Sequence, residues 1–451
     1  MSDASTLPAV GRFVSPWRAE PGTCGTVAVV GMGKIGLPLA AQYAGAGWHV
    51  IGVDVLPDVV AGLNAGRSHI DEEPGLSDRI AAAHAAGRFE ATLSHADAAR
   101  RADVVVMIVP LMLSEEQQPA YGLIDPASEA VGRGLRAGSL VIYETTVPVG
   151  DTRARFGPIL ERASGLAAGD AEAGFLLAFS PERVFSGRVF HDLATYPKLV
   201  GGIDDASAER AVAFYRGVLP AEVWRLSSVE AAEFAKLAET TYRDVNIALA
   251  NEFALYAERA GVDVSEVIRG ANSQPFSHIH QPGIGVGGHC IPVYPHFLIS
   301  RAEELRIPAL ARRVNDAQVD HAVEVLQREL GPLDGVPVLV LGLTYRENVK
   351  ELAYSRALPL IARLRSRGAQ VTAWDPLLSH EEVERLGIQP WTWGQPSPAQ
   401  VIVTQTGAAR FAELDFAAFP ALCLLYDGRN SLREVPRPPG VRYIGVGRGD
   451  D

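Results

Sequence analysis

"TVAVVGMGKIGLPLAAQYAGAGWHVIGVDV", residues 26–55, decides the fold of the first half of this chain. An apolar, β-branched run, a glycine-rich turn, an alanine-rich stretch and a second apolar run predict strand, turn, helix and strand, with the helix ending near Gly47. Two strands joined through a helix run parallel. Between the first strand and the helix, "GMGKIG" presents Gly31, Gly33 and Gly36, and Asp54 closes the next strand roughly 20 residues on. Gly31 permits a tight turn. Gly33 lets a pyrophosphate approach the backbone at a helix N-terminus, and Gly36 lets helix and strand pack closely. Asp54 would accept from a ribose 2′-hydroxyl and repel a 2′-phosphate, so the expected cofactor is NAD rather than NADP. Lys34 and Ile35 lie inside this loop and are taken with it as cofactor-binding.

Working outward, "DVVVMIVP" (103–110) and "SLVIYETTVP" (139–148) read as further buried strands with helical segments between them. The expected architecture is α/β, a parallel, doubly wound sheet. Val109, Pro110 and Thr146, which follow these apolar runs, are candidate cofactor contacts. From Val229 to Ala260 the chain has no Gly or Pro, and Gly261 follows as a C-cap. At 1.5 Å per residue this is a rod of roughly 45 Å. Phe234, Leu237, Thr241, Val245, Leu249 and Phe253 recur at helical spacing and predict its buried stripe, with Lys236, Thr240, Arg243, Ile247 and Asn251 on a second face. A rod this long joins domains or supports a dimer. From Val336 to Pro376 the strand–loop–helix–strand pattern restarts, and "AQVIVTQTG" and "ALCLLYDGRN" add short strands. The expected layout is a tail (1–22), a Rossmann-like domain (23–210), a helical central domain (211–325) and a second Rossmann-like domain (326–451).

At 451 residues the chain exceeds one ordinary domain. Its formal net charge of −12 would repel a phosphate backbone, which argues against nucleic acid as a partner. Apolar runs such as "VVVMIVPLML" (104–113) are shorter than the ~18 residues of a membrane span, and no targeting pattern opens the chain, so a cytoplasmic protein without a membrane partner is expected. Cys24, Cys290 and Cys423 are too far apart in sequence to form a metal cluster by spacing, and no metal is expected.

"IGVGGHCIPVYPHF" (284–297) sets Cys290 in a glycine-rich loop. Missing side chains leave room for a ligand and for an uncrowded thiol, whose pKa His289 could lower. A buried small hydrophobe is the commoner role of a free cysteine. Taken together, "GVGGHCIP" (285–292), "KLAETTYRDVNIALANE" (236–252), "ETTVPVG" (144–150), "FSPERVFSGR" (179–188) and "GLTYREN" (342–348) resemble the motif set of the UDP-sugar 6-dehydrogenases. They are most similar to the branch acting on UDP-N-acetylmannosamine or UDP-N-acetylglucosamine, and the match runs in order over nearly the whole chain.

The resemblance implies NAD-dependent oxidation of a UDP-hexose at C6 to the uronate, in two hydride transfers with two NAD molecules. An aldehyde has no alkoxide to expel its hydride, so a nucleophile must first add, and thiolate leaves a thioester for water to cleave. Cys290 matches that nucleophile. Lys236 matches an active-site lysine that stabilises oxyanions or exchanges a proton, and Thr146 and Glu182 match positions that orient and activate water. Arg183, Arg312, Arg346 and Arg429, with Lys236, Gly287 and Gly288, match substrate-side positions, the arginines suiting a diphosphate through their planar forks. The long central helix makes a homodimer or higher homo-oligomer the expected assembly. Three positions depart from the pattern: Thr240 stands where an asparagine is usual, Tyr294 where an aspartate is usual, and Ala353 where an arginine is usual, with Arg356 close by to substitute. Losing a carboxylate at Tyr294 should lower the lysine pKa and alter proton traffic. Two other readings therefore stand beside uronate formation: a retooled enzyme that stops at aldehyde or ketone or holds NAD tightly, and a catalytically silent nucleotide-sugar-binding protein.

Overall fold

The computed structural model describes residues 24–302 and 304–448, and the expected tail at 1–22 lies outside them. Two compact units divide within the long helix, one ending at Lys236 and the other beginning at Leu237.

In the first unit the opening stretch forms a strand (Thr26–Val30), a helix (Gly36–Gly45) and a second strand (His49–Val53). Val27, Ala28 and Val29 are fully buried, as a strand covered on both faces requires. Eight strands follow the order Val223–Arg225, Lys198–Gly202, Leu176–Phe179, Leu140–Tyr143, Val104–Met107, Thr26–Val30, His49–Val53, Phe89–Thr92. Every neighbouring pair is parallel except one: Leu176–Phe179 and Lys198–Gly202 run antiparallel, Ala178 facing Gly202 and Phe179 facing Gly201. The all-parallel expectation fails there because residues 180–197 re-enter the sheet at the edge where the preceding strand ends.

The second unit carries six parallel strands in the order Gln389–Pro390, Gln370–Trp374, Pro337–Leu341, Val401–Thr404, Leu424–Asp427, Arg442–Gly445. This is again a doubly wound arrangement, with a switch point between Pro337–Leu341 and Val401–Thr404. Helices Val264–Ala271, Tyr294–Ile299 and Arg306–Leu330 accompany it. No helix among the described residues is long and apolar enough to cross a membrane.

The long helix spans Val229–Ala260 as expected, and Gly261 follows at φ +68°. Its buried face differs from the expected stripe. Leu237 and Thr241 are buried, but Phe234, Leu249 and Phe253 are 52%, 42% and 38% exposed. Ala248, Ala250, Ala254 and Ala257 are buried instead, together with the polar Thr240, Asp244 and Asn251. Small side chains let the rest of the unit approach the helix closely, and the polar ones find partners: Asn251 donates to Asn315 Oδ1 (2.9 Å) and accepts from the Gly283 N–H (2.9 Å).

Candidate active site

The first unit's switch point lies between the strands Thr26–Val30 and Val104–Met107. Gly31 adopts φ +104°. A Cβ on Gly36 would sit 1.8 Å from the Gly31 carbonyl oxygen, so its absence is what lets the helix start there. A Cβ on Gly33 would meet nothing within 4 Å, so this exposed glycine leaves its room to something outside the fold. Asp54 braces the loop, accepting from the Met32 N–H and the Leu56 N–H (3.0 Å each), one on each oxygen. Each oxygen keeps a lone pair for a ribose hydroxyl. These residues fit a dinucleotide held by backbone N–H groups and one acid. Lys34 pairs with Glu72 (3.4 Å) beside the loop, and Ile35 packs on the core. The Val109 carbonyl accepts from the Thr145 hydroxyl (2.7 Å), Pro110 is exposed, and Thr146 is buried just past the strand Leu140–Tyr143.

Glu182 sits in a charged network the sequence reading missed. Lys198 Nζ lies 2.7 Å from Glu182 Oε2 and 2.8 Å from Glu144 Oε2. The hydroxyls of Tyr43 and Tyr215 donate to Glu144 Oε1 (3.0 and 2.6 Å). The Arg183 N–H donates to Glu182 Oε1 (2.7 Å), while its guanidinium donates to the Pro197 carbonyl. Burial pushes Glu144 up to about 7 against the pull of Lys198. Burial also works against the Glu182 carboxylate, but the Lys198 ammonium and the hydrogen bonds outweigh it and hold the group below its usual range. The available signal was a lysine opening the otherwise apolar "KLVGG" run, where a charge needs a buried partner.

Lys236 and Thr240 lie four residues apart on the long helix, 8% and 5% exposed, so Lys236 is not the solvated helix lysine its residue type would suggest. One turn before Lys236, the fully buried Glu233 accepts from the Gly150 N–H (2.5 Å) and the Thr152 N–H (2.9 Å), clasping the loop that follows Thr146.

In the second unit Cys290 is exposed at the end of its glycine loop. The loop's glycines let neighbouring protein approach closely. A Cβ on Gly287 would meet Tyr345 Cβ and the Tyr354 carbonyl at 2.9 Å, and one on Gly288 (φ +96°) the Tyr345 ring at 2.9 Å. The Gly288 N–H is committed to the Ala353 carbonyl (3.0 Å). His289 pairs with Glu351, Nε2 to Oε2 3.3 Å. Tyr294 begins the helix Tyr294–Ile299, its N–H donating to the Cys290 carbonyl (2.9 Å) and its ring 5.6 Å from that of Phe297. Arg346 reaches the Tyr345 hydroxyl from the "GLTYREN" loop (3.0 Å), and Arg429 is exposed with its guanidinium over Gly283, at the start of the cysteine loop. Loop, tyrosine and both arginines are thus gathered at one end of this sheet. Arg312 is not among them: it is buried, donating to Asp244 (2.6 Å) and Asp316 (2.7 Å). Arg356 pairs with the same Asp316 (3.2 Å).

A doubly wound sheet whose switch point leaves a braced glycine loop open fits a dinucleotide-binding domain. Three domain models of the UDP-glucose/GDP-mannose dehydrogenase family match the chain: the NAD binding domain over residues 25–219, the central domain over 230–317 and the UDP binding domain over 339–434. A UDP-N-acetyl-D-mannosamine dehydrogenase of Pyrococcus horikoshii is 34% identical over 94% of this chain and 99% of its own length. A UDP-N-acetyl-D-glucosamine 6-dehydrogenase of Pseudomonas aeruginosa is 34% identical over 81% and 86%. The solved structure of the Pyrococcus horikoshii UDP-D-ManNAc dehydrogenase superposes with a TM-score of 0.84 at 33% identity, covering 94% of this chain and 100% of that one. The chain belongs to the UDP-glucose/GDP-mannose dehydrogenase family, and its cofactor is NAD.

Proposed function

We propose that this protein oxidises a UDP-N-acetylhexosamine at C6 to the uronate. NAD, when bound at the Gly31–Gly36 loop, supplies the hydride acceptor. Arg346 and Arg429 hold the diphosphate, Lys236 steadies the sugar oxygen as it gains charge, and Arg183 contacts the sugar. The Cys290 thiolate adds to the aldehyde carbon, and the second oxidation leaves a thioester. Water oriented by Thr146 and Glu182 cleaves it, releasing carboxylate and returning the thiol. The observation that carries this reading is the exposed thiol of Cys290, set on a loop clamped by Tyr345 and Ala353 in the UDP-binding unit. Thr240 and Tyr294 are expected to slow turnover relative to an enzyme bearing an amide and a carboxylate there.

The apolar residues left exposed on the long helix support a homodimer formed along it, since a stripe of this size is not normally left to water.

The test is stoichiometry. With NAD and UDP-N-acetyl-D-mannosamine, UDP-N-acetyl-D-glucosamine or UDP-glucose, two NADH per sugar consumed are expected, and Cys290→Ser should abolish that ratio. A ratio of two surviving the substitution would remove the thiol from the mechanism. One NADH per sugar in the unaltered protein would favour oxidation that stops at the aldehyde, a reading that rests on Tyr294 standing where an aspartate is usual, its N–H on the Cys290 carbonyl.

A further inference from the structure

The antiparallel step in the first sheet has a chemical consequence. In a sheet of parallel strands, a residue that opens a strand lies at the edge opposite to residues that follow one. The reversed strand Lys198–Gly202 instead begins at the edge where Leu140–Tyr143 and Leu176–Phe179 end. Continuing the register Ala178–Gly202 and Phe179–Gly201 by three residues sets Glu182 opposite Lys198. Glu144 arrives from the adjoining strand. Three chain segments therefore deliver two carboxylates and one ammonium to a single point.

We propose that Lys198 is the positioning residue for Glu182, with Glu144 as a competing claimant on the same ammonium. Lys198 is 5% exposed, and its Nζ touches both carboxylates while lying 4.9 Å from the centre of the Tyr215 ring. Two buried carboxylates against one cation leave a net charge of −1, which is costly unless hydrogen bonds spread it. They do so unevenly. Glu144 has the phenols of Tyr43 and Tyr215 on its other oxygen, whereas Glu182 has the Arg183 N–H. Glu144 is thereby fixed as a structural anchor, and Glu182 keeps its remaining capacity for water. Glu182 and Lys198 line a small cleft with Asp192 and Tyr196. Asp192 is itself held by Arg188 (2.7 Å). The groups that act on Glu182 are thus the Lys198 ammonium and a hydrogen bond from Glu144, both in favour of the carboxylate.

This inference rests on the reading of Glu182 as the residue that handles the hydrolytic water. Lys198→Met, Lys198→Arg and Glu144→Gln in the full chain separate the effects. In Lys198→Met, kcat at neutral pH should fall at least about tenfold with KM for NAD changed less than about threefold, and the acid limb of the kcat–pH profile should move up by about one unit or more. Lys198→Arg should restore most of kcat. Glu144→Gln keeps a neutral hydrogen-bond donor beside Glu182, so its acid limb should stay within about half a unit of that of the unaltered protein. A second readout needs no turnover: the carboxylate infrared band that disappears in Glu182→Gln, followed against pH, should titrate higher in Lys198→Met and within about half a unit of the unaltered protein in Glu144→Gln. If Lys198→Met does not fold, Lys198→Gln, which also removes the ammonium, carries the same test. A folded variant without the Lys198 ammonium whose acid limb and infrared titration both match the unaltered protein would overturn the proposal. A single NADH per sugar in the unaltered protein would overturn the hydrolytic role of Glu182 while leaving the infrared test of its pairing with Lys198 intact.

Discussion

The glycines of the first loop separate folding from binding. Gly36 has the Gly31 carbonyl oxygen 1.8 Å from where a Cβ would stand, and Gly33 has no atom within 4 Å. Gly36→Ala should therefore destabilise the NAD unit by about 1–3 kcal/mol or more through overpacking. Gly33→Ala should change stability by less than about 0.5 kcal/mol while raising the NAD dissociation constant by about tenfold, or about 1.4 kcal/mol. Thermal unfolding and NAD titration of both variants read the contrast, and equal effects on both quantities would show that Gly33 is only a turn residue. Motif residues of this kind were legible because their spacing carries a geometric demand. Glu144 and Lys198 were not, because nothing local says that two positions 54 apart meet: their pairing depends on one strand reversing direction. The cysteine loop was legible as a loop, but the packing of Tyr345 against Gly287 and Gly288 was not, because nothing local says which chain segment covers them.

The long helix shows what periodicity can and cannot tell. Its extent followed from the absence of Gly and Pro, but three- and four-residue spacing marks where apolar residues recur without saying which chain covers them. Tyr242, Leu249, Phe253 and Tyr256 share one outward stripe and are 55%, 42%, 38% and 65% exposed, whereas alanines and polar residues face inward. Leu249→Glu with Phe253→Glu should shift the mass measured by light scattering from dimer to monomer without loss of helix content, and an unchanged mass would place the subunit contact elsewhere. The same helix presents Glu233 to the loop after Thr146, and burial raises this carboxyl from 4.5 to about 7. An acid whose pKa is raised by folding stays protonated in the native state after the unfolded chain has ionised. Between about pH 4.5 and 7 the native protein thus holds one more proton at this site, and its stability falls as pH rises, by about 1.4 kcal/mol per unit within that window. Glu233→Gln should lack this component. Denaturant unfolding at intervals from pH 5 to 7 should show a shallower decline in the variant, and parallel curves would mean that Glu233 is already ionised at pH 5.

Across the whole molecule the same doubly wound plan occurs twice, yet its two acids are differently engaged. Asp54 closes the second strand of one sheet and Asp375 the corresponding strand of the other. Asp54 accepts one backbone N–H on each oxygen and keeps capacity for a ribose. Asp375 accepts on Oδ2 alone from the Leu343 N–H (2.7 Å), the Thr344 N–H (2.9 Å) and the Thr344 hydroxyl (3.0 Å), and on Oδ1 from the Leu377 N–H (2.8 Å). It is 1% exposed and is used up in shaping the "GLTYREN" loop. The second sheet therefore has no free acid at the ribose position, which agrees with a domain that binds UDP instead of NAD. Calorimetric titration should give one NAD per chain. Asp54→Ala should weaken NAD binding at least about tenfold with little loss of stability. Asp375→Ala should leave NAD affinity unchanged and cost about 1–3 kcal/mol for each buried donor it orphans. A second equivalent of NAD that survives Asp54→Ala and disappears in Asp375→Ala would refute this division of labour, because it would show that Asp375 releases its own chain to take up a ribose.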